Sequence, residues 1–127
     1  MNKFLDFLRY QFLAILWSFL IFYFSELKKV PVPKFPYSDK IIHFGIFYFL
    51  GILVARAFIF QNRIEVLKKY FFAFTIIFVF IYGVSDEVHQ IYVPGRKAEI
   101  YDLIADLLGG IVAALSVKFV LKKNKKL

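Results

Sequence analysis

The sequence predicts an all-α integral membrane bundle of four transmembrane helices, and three observations carry that prediction. Hydrophobic residues make up 61% of the 127-residue chain, eighteen of them phenylalanine, and the mean hydropathy is +0.67. Soluble domains of this length are nearer half apolar, so the surplus asks for an apolar solvent rather than a larger core. The apolar residues also fall into four stretches of about 20, the length that spans a bilayer, and these use most of the chain. A single domain over residues 1–127 is therefore expected, with no separate soluble domain.

The first stretch runs from about Phe7 to Phe24, with Trp17 near its middle. A secretory signal would look similar, but Ser25-Glu26-Leu27-Lys28-Lys29 offers no small-x-small cleavage site, so a retained helix is expected. Three prolines in Val30–Pro36 then forbid regular helix and mark the first loop. A second span starts at Ser38, whose side chain suits an N-cap, and reaches about Phe60, ending near Gln61, Asn62 and Arg63. The third, Tyr70 to Val84, flows without a break into Ser85-Asp86-Glu87-Val88-His89-Gln90. Val93-Pro94-Gly95-Arg96 places proline and glycine at the centre of a type II turn, and the last span runs from about Glu99 to Leu121.

Orientation follows from where lysine and arginine lie, because cytoplasmic flanks carry the excess. With four spans, Lys3, Arg9, Arg56, Arg63, Lys68, Lys69, Lys118, Lys122, Lys123, Lys125 and Lys126 share one side: eleven of the seventeen basic residues. Lys28, Lys29, Lys34, Lys40, Arg96 and Lys97 lie on the other. A multi-pass protein of the cytoplasmic membrane is expected, both termini inside and the first and third loops outside. The net charge of +8 then reads as orientation signal and contact with anionic membrane lipids. A nucleic-acid partner is not expected, since that needs a basic face on a soluble scaffold. The chain has no cysteine, which excludes disulfides, thiolate nucleophiles and cysteine zinc sites.

Drawn on this topology, the polar residues gather at the outer face. Asp39, Lys40 and His43 open the second helix; Asp86, Glu87, His89 and Gln90 close the third; Arg96, Asp102 and Asp106 follow. Spacings of three and four put Asp39 with His43, Asp86 with His89 and Gln90, and Asp102 with Asp106 on shared helical faces. Ionisable groups within a span turn inward or toward water and are functional candidates by default. Asp39 and Asp102 sit in first turns, where the helix dipole also favours a carboxylate and a structural role suffices. Asp86 and Glu87 close a helix, where the dipole opposes them, so they require partners: Arg96, a protonated histidine or a metal ion.

Five carboxylates against Lys40 and Arg96 leave a net negative charge to be neutralised. By donor type, His43, His89, Asp86 and Glu87 suit a divalent metal, zinc or manganese, although no HExxH motif is present. Two helices also start on this side beside Lys40 and Arg96, an arrangement that suits a lipid-linked phosphate or pyrophosphate. Ala105, Gly109, Gly110, Ala113 and Ala114 form a small-residue stripe that lets helix backbones approach in lipid, and they read as packing. Tyr23, Tyr37, Tyr92 and Tyr101 lie near span ends, where amphipathic rings rest at the interface.

Four ordered blocks, Ser38-Asp39-Lys40-Ile41-Ile42-His43-Phe44, Asp86-Glu87-Val88-His89-Gln90, Val93-Pro94-Gly95-Arg96, and Asp102 with Asp106 and Gly109, resemble the VanZ-like family over most of the chain. The resemblance implies a bacterial or archaeal integral membrane protein, and the founding member's association with low-level teicoplanin resistance implies a cell-envelope role. One departure is Asp106: the residue four after the last-helix aspartate is often asparagine in the family, so a role needing a neutral amide is weakened here. Two functions follow as expectations. One is a binder or modulator of a lipid-linked envelope ligand, with Asp39, Lys40, Gln90, Arg96, Asp102 and Asp106 as contacts. The other is a membrane-embedded hydrolase or transferase in which His89 or His43 acts as acid or base, Asp86 or Glu87 orients it and Arg96 stabilises a phosphate or oxyanion. A proton pathway is disfavoured, because the cytoplasmic halves of the spans hold few ionisable groups beyond Arg56 and Lys118. The cluster is compatible with assembly within one chain or across an oligomer interface.

Overall fold

The structure, a computed structural model, describes residues 2–26 and 35–125, and among these there is no strand. Four helices are long and apolar enough to cross a membrane: α1 (Lys3–Glu26), α2 (Ser38–Ile59), α4 (Phe71–Ile91) and α5 (Ile100–Lys125). A short amphipathic turn of helix, α3 (Glu65–Lys69), lies between α2 and α4. At 1.5 Å per residue, even the shortest span covers roughly 30 Å, the thickness of a bilayer's hydrocarbon.

Local chemistry sets the ends. Asn2 caps α1, its Oδ1 accepting from the backbone N–H of Phe4 at 3.0 Å. Ser38 is not the N-cap that its residue type predicts: its backbone is already helical, and Tyr37, in the left-handed region at φ +62°, holds the cap position. The Ser38 N–H instead donates to Phe35 O across that turn, at 3.1 Å. The proline-rich first loop falls mainly on residues 27–34, outside the described residues. The second loop is organised by Gln61, whose Oε1 accepts from the N–H groups of Arg63 and Ile64 at 3.0 and 2.8 Å. Val93–Arg96 closes as the expected turn, with Gly95 at φ +82° and Arg96 N–H donating to Val93 O at 3.1 Å.

The bundle is built around α5. It packs most extensively against α2 and next against α4, while α1 lies more loosely on α2 and α4. The α2–α5 contact is a backbone contact, as lipid-embedded helices require when no hydrophobic force separates them from solvent. A Cβ placed on Gly109 would stand 2.4 Å from Phe44 O and 2.8 Å from Tyr48 N. One turn on, a Cβ on Gly51 would meet Ala113 Cβ at 2.6 Å. Phe47, Leu50, Val54 and Val79 fill the core beside this seam.

α1 is attached differently, by polar side chains reaching backbone carbonyls of the spans it touches. Gln11 Nε2 donates to Ala57 O at 3.0 Å and Trp17 Nε1 to Ile46 O at 3.1 Å, while the Tyr82 hydroxyl donates to Ser18 O. Such bonds in lipid contribute about 0.6 to 2 kcal/mol each, so three of them hold a helix that buries few residues.

The glycine seam gives a direct test. Gly109→Ala should lower the thermal midpoint of the detergent-solubilised protein by an overpacking penalty of about 1–3 kcal/mol. Gly45→Ala, whose Cβ meets nothing within 4 Å, should leave it unchanged or slightly raised. Equal midpoints for the two variants would contradict the seam.

Candidate functional site

Antiparallel alternation brings the C-termini of α1 and α4 and the N-termini of α2 and α5 to one end of the bundle. Every polar residue singled out from the sequence lies there, but they divide into an outer group, an inner group and one residue that belongs to neither.

The outer group is centred on a lysine. Lys40 Nζ lies 2.5 Å from Glu99 Oε2 and 2.8 Å from Asp102 Oδ1, and also pairs with Asp39. Lys40 thereby ties the first turn of α2 to the first turn of α5. Glu99 has no place among the sequence candidates, although its i, i+3 spacing to Asp102 was a usable signal. Asp39 and Glu99 are exposed and Asp102 is buried, so the ammonium bridges solvent and interior.

The inner group is buried. His43 Nδ1 lies 2.8 Å from Asp106 Oδ1, and His43 Nε2 lies 3.7 Å from Asp102 Oδ2. Asp106 is completely buried, and its pairing with His43 follows from the glycine seam three residues further along α5. Asp86 accepts from the Ser25 hydroxyl of α1 and from Gln90 Nε2 at 3.4 Å. Glu87 Oε2 accepts the backbone N–H of Glu99 at 3.0 Å.

These last two contacts answer the dipole problem posed by carboxylates at a helix C-terminus. Glu87 closes α4 yet meets the N–H just ahead of α5, where the dipole favours a negative charge. Asp86 is held by hydroxyl and amide donors, and Arg96 lines the same cleft. Ser25 was invisible to sequence reasoning, because its partner lies 61 residues away on another helix.

One atom each from His43, Asp86, Glu87 and Asp106 lie within 4.8 Å of one another, as do atoms of Asp39, Glu99 and Asp102. The structure therefore joins His43, not His89, to the acidic pair of α4. His89 faces α1: its ring is 4.5 Å from the Phe22 ring, and Nε2 is 3.7 Å from Glu26 Oε1, beyond hydrogen-bond distance. Of the four metal-ligand candidates, His43, Asp86 and Glu87 converge, with Asp106 standing where His89 was expected.

Beside these groups opens a cleft of about 620 Å³. Its polar end carries Arg96, Lys97, His43, Asp86, Gln90 and Asp102. From there it runs toward mid-bundle between α1 and α2, walled by Trp17, Ile21, Phe24, Ile46 and Phe47. Charged and imidazole groups at one end and an apolar wall at the other give it the polarity of an amphiphile.

A protein-family model described as VanZ/LLP1 matches residues 6–121, a range that contains all four spans' cores, both polar groups and the cleft. Neither a curated protein nor a solved structure matched the chain. The match covers nearly the whole sequence and includes every motif block from Ser38 to Gly109, and the chain belongs to the VanZ/LLP1 family.

Proposed function

We propose that this membrane protein binds the head group of a phosphate-bearing, lipid-linked cell-envelope ligand in the cleft, at the outer face of the cytoplasmic membrane. The observation that carries the reading is the shape and polarity of the cleft: Arg96, Lys97 and two helix N-termini stand among four carboxylates, Asp39, Asp86, Glu99 and Asp102, at its polar end, and an apolar wall runs from there into the bundle. A phosphate is accommodated by Arg96 and Lys97 together with the starts of α2 and α5. The attached lipid chain lies against Trp17, Ile21 and Phe24 on the loosely packed α1 side, where it enters from the bilayer without crossing water. Holding such a precursor changes its availability to enzymes and to glycopeptide drugs, the kind of role that the family resemblance implies.

The distribution of basic residues supports the outward orientation. Cysteine introduced by Lys97→Cys should react with a membrane-impermeant thiol reagent on intact cells, and cysteine introduced by Lys68→Cys only after permeabilisation. The reverse pattern would place the site in the cytoplasm. Ligand binding is tested with protein in nanodiscs and a long-chain isoprenoid monophosphate, set against the parent alcohol. Retention should require the phosphate, and Arg96→Met should weaken it by about tenfold or more, the worth of a charge-assisted hydrogen bond. Equal retention of the alcohol would overturn the phosphate assignment.

The His43–Asp106 contact supports a second reading, a membrane-embedded hydrolase or transferase. An imidazole oriented by a buried carboxylate is the arrangement of a general base, and the second nitrogen faces the polar end of the bundle. Of the two histidines expected as acid or base, this contact favours His43. Mass spectrometry of the isoprenoid phosphate after incubation separates the two: binding alone returns it unchanged. Conversion that is abolished by His43→Ala and unaffected by His89→Ala would establish the enzyme and defeat the binding-only reading.

A further inference from the structure

We propose that His43, Asp86, Glu87 and Asp106 form a binding site for one divalent metal ion at the base of the cleft.

Geometry comes first. One donor atom from each of the four residues lies within 4.8 Å of the others. Bonds of roughly 2.1 Å set ligands about 3.4 Å apart in a tetrahedron and at most about 4.2 Å apart when opposed, so side-chain adjustments on the order of an ångström bring all four into one coordination sphere.

A second observation is independent of this clustering. Glu87 Oε1 and Asp106 Oδ2 are buried without a hydrogen-bond partner, on residues that are 6% and 0% exposed. A buried carboxylate oxygen with no donor carries its full desolvation penalty, and a cation in the group removes it.

The neighbouring acidic group supplies an internal comparison. Asp39, Glu99 and Asp102 show the same close spacing, and that group is organised by a cation of the chain itself, Lys40 Nζ, at 2.5 and 2.8 Å from Glu99 and Asp102. The inner group contains an imidazole where the outer one has an ammonium, and imidazole is a metal ligand. Three carboxylates with one imidazole are borderline in softness, which points to manganese or zinc rather than calcium or a thiophilic metal. Within a span, coordination also resolves the charge problem, since two positive charges offset carboxylates that otherwise stand in a low-dielectric place.

The proposal shares its place in the fold with the lipid reading but does not depend on that ligand. The test is metal counting on the full-length protein in nanodiscs, after equilibrium dialysis against micromolar Mn²⁺ or Zn²⁺ without lipid phosphate. The wild type should retain about one ion per chain. Glu87→Gln and Asp106→Asn should each reduce occupancy at least tenfold, and Glu65→Gln on α3 should retain it. Pulsed electron paramagnetic resonance of the Mn²⁺-loaded wild type should show coupling to one imidazole nitrogen, a readout that holds even where a variant folds poorly. Less than a tenth of an ion per chain, the absence of nitrogen coupling, or loss of the ion in Asp39→Asn with retention in Glu87→Gln would each overturn the proposal. A metal-loaded protein that fails to retain the isoprenoid phosphate would sink the lipid reading and leave the metal site standing; retention of that lipid by wild type that takes up less than a tenth of an ion per chain on dialysis would do the opposite.

Discussion

The close approach of α2 and α5 is the constraint on which the remaining structure depends. Phe44 O and Tyr48 N stand where a side chain on Gly109 would have to be, so the two backbones meet with nothing between them. Because helical faces repeat every three to four residues, this contact also fixes what happens one turn toward the polar end. His43 is the neighbour of Phe44, and Asp106 lies three residues before Gly109, so the crossing that removes a side chain at one level presses imidazole against carboxylate at the next. A turn beyond that, Lys40 meets Asp102 and Glu99. The small-residue stripe, which reads as packing, is therefore also what assembles the polar site.

The same geometry explains how so much charge is tolerated at the edge of an apolar bundle. At least one oxygen of each acidic residue near the cleft is answered locally, and by something different: Lys40 for the outer group, the Glu99 N–H for Glu87, Ser25 and Gln90 for Asp86, His43 for Asp106. Donors come from four different helices or their flanks. Truncating one partner therefore leaves a specific carboxylate short of a donor, which in a membrane interior is more damaging than the loss of the contact itself.

How much of this was legible in the sequence depended on the range of the interaction. The four spans and the turn at Gly95 follow from composition and local chemistry, and the structure places their ends within a few residues of expectation. The gathering of polar residues at one end followed from counting spans. Which residues touch did not, because side-chain pairing across helices depends on rotation about each axis. His89 and Asp86 share a helical face by spacing, and both do meet α1, at Phe22 and Ser25; that Asp86 also reaches the His43 group while His89 does not was not readable from spacing. Ser38 shows the opposite failure. A residue type that favours N-caps stands one position inside the helix, because a left-handed Tyr37 had already made the turn.

The contrast between α1 and the other spans bears on how the site can work. α2, α4 and α5 are joined through small residues and core side chains, whereas α1 is held by a few side-chain bonds along its length. Local opening is easiest where apolar contacts are fewest, so the α1 seam is the weakest in the bundle. The cleft runs along that seam, and Ser25, the last polar tether of α1, bonds Asp86 in the inner group. Movement of α1 away from both α2 and α4 thus removes a donor from a buried carboxylate at the same moment as it widens the apolar part of the cleft. Opening of the cleft and the charge balance of the site are mechanically coupled, and the proposed ligands, a cation or a head group, would act on how tightly α1 is closed.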